Sequence, residues 1–257
     1  MDRVRTGVRG FDELVEGGLP KQTNTIITGP PGAGKTIFAL QYLIEGTMNN
    51  ENGIYLTFDT VPEKLKVQAK QFGWDLEELE KQGKIEIINV SLNENRFDLF
   101  DLIKFSAFKI KAKRLVFDNI ATFAINLDLF SIPTGYAKKV ASIMEVSGKA
   151  VGGNRVHYTA DTKKRIIYLI AQELSKLETT NLLITYAGRR EDSITTDGIS
   201  EFVADGVVRL YSQQIGAKFI RTMAVLKMRT TKHSTYIHDF IIDESGVKVS
   251  SAEEVYK

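Results

Sequence analysis

A lysine and a threonine, Lys35-Thr36, close the run Gly29-Pro30-Pro31-Gly32-Ala33-Gly34. The spacing Gly-x-x-x-x-Gly-Lys-Thr is that of the phosphate-binding P-loop. Its chemistry follows from the residue types. Glycines let the backbone curl until successive N–H groups converge on an anion, and a helix opening at Ile37 adds its positive end. Lys35 is expected on the β- and γ-phosphates, and the Thr36 hydroxyl on Mg²⁺. The loop thus calls for ATP or ADP and Mg²⁺ as cofactors. Gly29, Pro31, Gly32, Ala33, Gly34, Lys35, Thr36 and Ile37 are the expected contacts.

Two aspartates, Asp59 and Asp118, end apolar stretches and are both candidates for the acid that supports the metal. The residues alone do not force a choice, since both would face the crevice where open α/β sheets bind ligands. We assign Asp118 to the metal's water shell and Asp59 to positioning or activating the attacking water. The competing reading of Asp59 is a helix cap beside Thr60. Lys227 and Arg229, two apart, would share a strand face with Arg221, Met223 and Val225. By spacing alone they read as cations guarding an edge strand against aggregation.

Strands and helices must carry these groups. Periodicity predicts a strand over Thr25–Thr28, a helix over Ile37–Met48 and a strand over Gly53–Asp59. A helix is then expected from a Thr60 N-cap, with Glu63 as capping-box partner, to Phe72 before Gly73. An acidic helix near Asp75–Lys81, a strand Ile85–Val90, an amphipathic helix Phe97–Lys111 and a strand Arg114–Asp118 follow. Lys164–Glu178 reads as helix and Asn181–Ala187 as strand. Three β segments close the series: Val207–Gln213, Phe219–Arg229 and Tyr236–Ile242. Strand–helix alternation up to residue 187 predicts an α/β fold with a mostly parallel sheet, extended by an antiparallel C-terminal edge. Residues 1–22 read as an irregular lead-in packed on the core.

The 257 residues suit one large α/β domain. The absence of cysteine excludes a disulfide framework and thiol metal sites, and three scattered histidines argue against a His-rich metal site. The N-terminus is polar and charged, and no apolar run reaches the ~18 residues a bilayer span needs, so a cytoplasmic location without membrane contact is expected. Residues 131–165 carry seven lysines and arginines against two acids. With Arg189 and Arg190, this segment is a candidate nucleic-acid surface driven by counterion release, or else a solvated charge cluster. It lacks an aromatic ladder for stacking bases.

Beyond the loop, the chain resembles the single-domain KaiC-like ATPases of the RecA/RadA superfamily. The resemblance is carried by Thr6-Gly7-Val8-Arg9-Gly10-Phe11-Asp12-Glu13-Leu14, Gly17-Gly18-Leu19-Pro20, the P-loop, Glu201-Phe202-Val203-Ala204-Asp205-Gly206-Val207 and Lys227-Met228-Arg229-Thr230-Thr231-Lys232-His233. It implies a single RecA-like domain over 1–257, with a basic insertion at 131–165 and a β-rich extension at 206–245. It also implies a homo-oligomeric ring, usually a hexamer, with the nucleotide held between subunits. Lys227, Met228 and Arg229 would then reach the neighbour's γ-phosphate, with Thr231 and His233 beside that nucleotide. Asp243 and Glu244 would lie near its base or ribose, and Gln71 near the adenine of its own subunit. The activity implied is Mg²⁺-dependent ATP hydrolysis with a regulatory or signalling output and a further protein partner. Two alternatives stay open: a nucleotide-gated scaffold that hydrolyses very slowly, and a DNA-binding recombinase relative. Three departures qualify the likeness. Asp59-Thr60 stands where the family carries two glutamates, which points to slow turnover. Thr230 replaces a preferred glycine. The phosphorylated Ser-Thr pair of the family's clock protein falls at Glu201-Phe202, so the chain resembles the hydrolytic half of that protein.

Overall fold

The structure, a computed structural model, describes residues 2–90, 99–126, 160–188 and 193–250. The 131–165 insertion before residue 160, and Arg189-Arg190, lie outside the described residues. The organising layer is a nine-stranded sheet whose central strand β3 (Asn24–Gly29) is buried at every position. A strand covered on both faces has to be apolar or internally hydrogen-bonded in this way. On one side β3 pairs in parallel with β7 (Thr180–Tyr186), followed by β6 (Arg114–Asp118), β4 (Gly53–Thr57) and the edge strand β5 (Ile85–Asn89). On the other it pairs in parallel with β8 (Gly206–Ile215). From there β9 (Lys218–Met228), β10 (Ile237–Asp243) and β11 (Gly246–Val249) run antiparallel. The α/β class is the expected one: a mostly parallel sheet flanked by helices, with antiparallel C-terminal strands.

Successive residues of β3 feed two apolar cores. Ile27 packs with the helix α1 (Lys35–Met48) through Phe38, Tyr42 and Leu43. Ile26 packs on the other face with Phe117, Phe123, Ile166 and Ile170. The last two belong to the helix Ala160–Leu174. The lead-in joins the first core: Val4, Val8, Phe11, Val15 and Leu19 are buried there, and Phe11 meets Phe38 edge-on at 5.1 Å. Each such buried aromatic contributes about 1.5–3 kcal/mol. Gln41 of α1 stitches both chain ends to the helix. Its Nε2 donates to Gly7 O at 2.7 Å, and its Oε1 accepts from Val247 N at 2.8 Å.

Three expectations need correction. The helix α2 (Pro62–Lys70) starts at Pro62 with Val61 as its N-cap and no side-chain cap. Thr60 instead donates its N–H to Thr57 Oγ1 at 3.0 Å, so Asp59-Thr60 form a turn and not a capping box. Second, Lys227 does not share a face with Met223 and Val225. In the β8–β9 ladder Val208 pairs with Val225 but Val207 pairs with Lys227, which leaves Leu226 as a β-bulge. A bulge shifts the side-chain phase by one residue. Met228 therefore joins Met223 and Val225 in the core on the α1 side, while Lys227 turns to the opposite face. Third, the helix α5 (Ile120–Ile125) and strand β11 are present where no element was predicted.

Candidate nucleotide site

The C-terminal ends of β3, β4, β6 and β7 border a cleft of about 580 Å³. Gly34 caps α1 in the left-handed region (φ 98°), and a Cβ there would meet Ile242 Cδ1 at 2.9 Å. The backbone alone disfavours a side chain there, and one would also displace the tip of Ile242. No side chain caps α1, which leaves its first N–H groups free to face an anion.

Lys35 is 8% exposed, and its Nζ donates to Gly29 O at 2.9 Å and Pro30 O at 2.8 Å. The Tyr186 ring lies 5.0 Å from the same nitrogen. Burial brings the ammonium down to about 8, partly offset by the Asp118 carboxylate. Asp118, at the end of β6, accepts from the Tyr55 hydroxyl at 2.5 Å and lies 3.5 Å from Thr36 Oγ1. Burial pushes its carboxyl up to about 6, opposed by the Tyr55 hydrogen bond. Thr36 and Asp118 are hard oxygen donors on one wall. Among the described residues no cluster of three or more His, Asp or Glu could cage an ion. That combination fits Mg²⁺, which takes one or two protein oxygens and completes its shell with phosphates and water.

Asp59 stands across the cleft, its Oδ2 accepting from Asn119 Nδ2 and, at 3.4 Å, from the Tyr186 hydroxyl. Pro31, Gly32, Gly34, Lys35, Thr36, Ile37, Asp59 and Asp118 line this cleft, whereas Gly29 and Ala33, also expected as contacts, are not among its lining residues. Asn119, Tyr186, Gln68 and Arg221 also line the cleft. The sequence reading gave none of these four a role in the site. Arg221 carries a buried Nε with no hydrogen-bond partner. Gln71 is exposed at the C-cap of α2, and Gln68, one turn earlier, lines the cleft in its place.

Lys227 and Arg229 lie elsewhere. Met228 pairs with Gly206, and Gly206 with Thr25, at the opposite end of β3 from Gly29. Four residues of strand at ~3.3 Å each put this point roughly 13 Å from the phosphate loop. Lys227 Nζ donates to the carbonyls of Ala204 (2.6 Å), Glu201 (3.2 Å) and Phe202 (3.4 Å). Arg229 Nη1 pairs with Asp205 at 3.3 Å and is half exposed. Thr230 adopts φ 56°, the backbone that glycine tolerates best, which accounts for the glycine expected there. Thr231 Oγ1 accepts from Arg3 Nη1 at 2.6 Å, and His233 Nδ1 contacts Ser234 O at 2.9 Å. Asp243 is the exposed last residue of β10, directly after Ile242 in the cleft wall, and Glu244 opens the turn to β11.

Comparison with known proteins finds relatives along nearly the whole chain. A family model described as "ATPase: KaiC" matches residues 4–129 and 151–254. A UPF0273 protein of Aeropyrum pernix is 28% identical over 97% of this chain and 94% of its own length. The circadian clock oscillator protein KaiC of Prochlorococcus marinus is 31% identical over 97% of this chain, which spans 45% of that protein. The crystal structure of a KaiC-like protein from the hyperthermophilic archaeon Pyrococcus horikoshii superposes with a TM-score of 0.77 at 29% identity, covering 97% of this chain and 99% of that one.

Proposed function

The chain belongs to the KaiC ATPase family, and from that premise we propose that it hydrolyses Mg-ATP at the interfaces of a homo-oligomeric ring. The observation that carries the interface reading is the separation of Lys227 and Arg229 from the cleft of their own subunit. Cations that serve hydrolysis from that end of the sheet act on a neighbour's phosphate. Within one subunit the loop amides and Lys35 hold the β- and γ-phosphates, and Arg221 lines the wall of the same cleft. Thr36 and Asp118 would hold Mg²⁺, which when bound would neutralise charge developing on the phosphate oxygens. Asp59 accepts a proton from the attacking water. The water oxygen bonds to the γ-phosphorus as the bond to the β–γ bridging oxygen breaks, and that oxygen leaves on ADP with the electron pair. Arg229 and Lys227 of the adjacent copy stabilise the charge on the transferred group.

On this reading residues 1–257 form one ATPase domain whose output is regulatory, transmitted to a protein partner in the cytoplasm. No described helix is long and apolar enough to cross a membrane. The slow-scaffold alternative draws its support from Thr60, which brings no second carboxylate to the cleft beside Asp59. Steady-state phosphate release by the unmodified protein separates the two, and Arg229→Ala tests the trans-acting role. The ATPase reading expects unchanged ATP binding and turnover lowered by on the order of 10³-fold. Unchanged turnover removes the trans-acting role. DNA-stimulated turnover favours the recombinase-like reading.

A further inference from the structure

Asn119 is 2% exposed and fixed in sense by two opposed contacts. Its Oδ1 accepts from Thr122 N at 2.7 Å, capping α5, so its amide nitrogen must face the other way. There it donates to Asp59 Oδ2. The Tyr186 hydroxyl, from the end of β7, approaches the same oxygen at 3.4 Å. Among the described residues Asp59 Oδ1 receives no hydrogen bond, and Asp59 lines the cleft facing the phosphate loop. An aspartate on a turn keeps its rotamer freedom unless something holds it. Two donors on one oxygen do so, and leave the other oxygen as the acceptor.

We propose that Asn119 and Tyr186 are positioning residues that hold Asp59 by Oδ2 and present Oδ1 to the water attacking the γ-phosphorus. The inference rests on the hydrolytic reading above and adds to it the groups that make a short acid, followed in sequence by Thr60 and not by a second carboxylate, serviceable. The water proton passes to Oδ1 as the oxygen–phosphorus bond forms, and onward to the released phosphate. Tyr186 has a second contact, since its ring lies under the Lys35 ammonium. One side chain thereby touches both the phosphate-binding cation and the water-facing acid.

Asn119→Ser keeps an oxygen able to cap α5 but removes the amide donor, and Tyr186→Phe keeps the ring but removes the hydroxyl. With a water-activating acid worth ~10²–10⁴-fold, kcat is expected to fall about tenfold for the first and about threefold for the second. KM, and the Kd of a non-hydrolysable ATP analogue, stay within about twofold. In an Asp59→Ala background neither change lowers kcat further, a non-additivity that a purely structural role does not produce. Asn119→Asp, which keeps the cap and turns donor into acceptor, loses at least as much as the serine variant. Full kcat in both Asn119 variants while Asp59→Ala is slow overturns this inference alone. So does an equal further loss in the Asp59→Ala background, or a rise in Kd that parallels the loss of kcat. Full kcat in Asp59→Ala overturns the assignment of the acid and this inference with it.

Discussion

At the scale of single residues, the phosphate loop announces itself because its chemistry is local. Glycines, lysine and threonine act within eight consecutive positions, so spacing alone places Lys35 and Thr36. Asn119, Arg221 and Tyr186 could not be found that way. Tyr186 reaches the cleft because β7 lies beside β3 in a register that sets Gly29 against Tyr186. Arg221 reaches it because Ser212, beyond the phosphate loop on β8, pairs with it. Neither register is written in a single segment. The Lys35 ammonium yields a pH prediction. It titrates near 8 in the free protein, and a bound triphosphate raises that value. A group whose pKa rises on binding gives its full contribution below the free value and loses it as pH climbs toward the bound one. Above about pH 8, where Asp118 is already ionised, ATP affinity in chelator should therefore fall by up to tenfold per unit. Titration of a fluorescent ATP analogue across this range checks it, and a flat profile through pH 9.5 removes Lys35 as a charged phosphate ligand.

Among the elements, the parallel half of the sheet was legible. Apolar runs bounded by turn residues match β3 to β7 to within a few residues at each end. The C-terminal ladder was less so, because one bulged residue changes which face every later side chain takes. Unbroken alternation would put Leu226 and Met228 together. The structure separates them, with Leu226 39% and Met228 4% exposed. Met228→Ala should consequently cost about 2–4 kcal/mol, and Leu226→Ala less than about 1 kcal/mol. Denaturant midpoints of the two variants test the phase of the strand directly, and equal costs would mean that the bulge is misplaced. The α2 start failed for a related reason. Thr57 Oγ1, a strand residue, takes the Thr60 N–H that a capping box would have used.

For the whole molecule, the cleft and the Lys227–Arg229 pair occupy opposite ends of one strand layer. A subunit with a working cleft and no finger should therefore be completed by a subunit with the reverse defect. Arg229→Ala and Lys35→Ala, each inactive alone, should recover part of the wild-type turnover when mixed and reassembled, with sedimentation reporting the mixed particle. Silence of the mixture, with assembly intact, argues for catalysis confined to one chain.

The Ile242 contact with Gly34 carries a consequence for how the protein is made. The phosphate loop leaves the ribosome early, but the strand that braces it is among the last described segments synthesised. Until that strand docks, Gly34 has open space where Ile242 belongs, and Gln41 lacks its Val247 partner. Nascent chains arrested before β10 should accordingly bind ATP weakly, and chains arrested after β11 has emerged should bind it fully, a difference that capture on ATP beads would read.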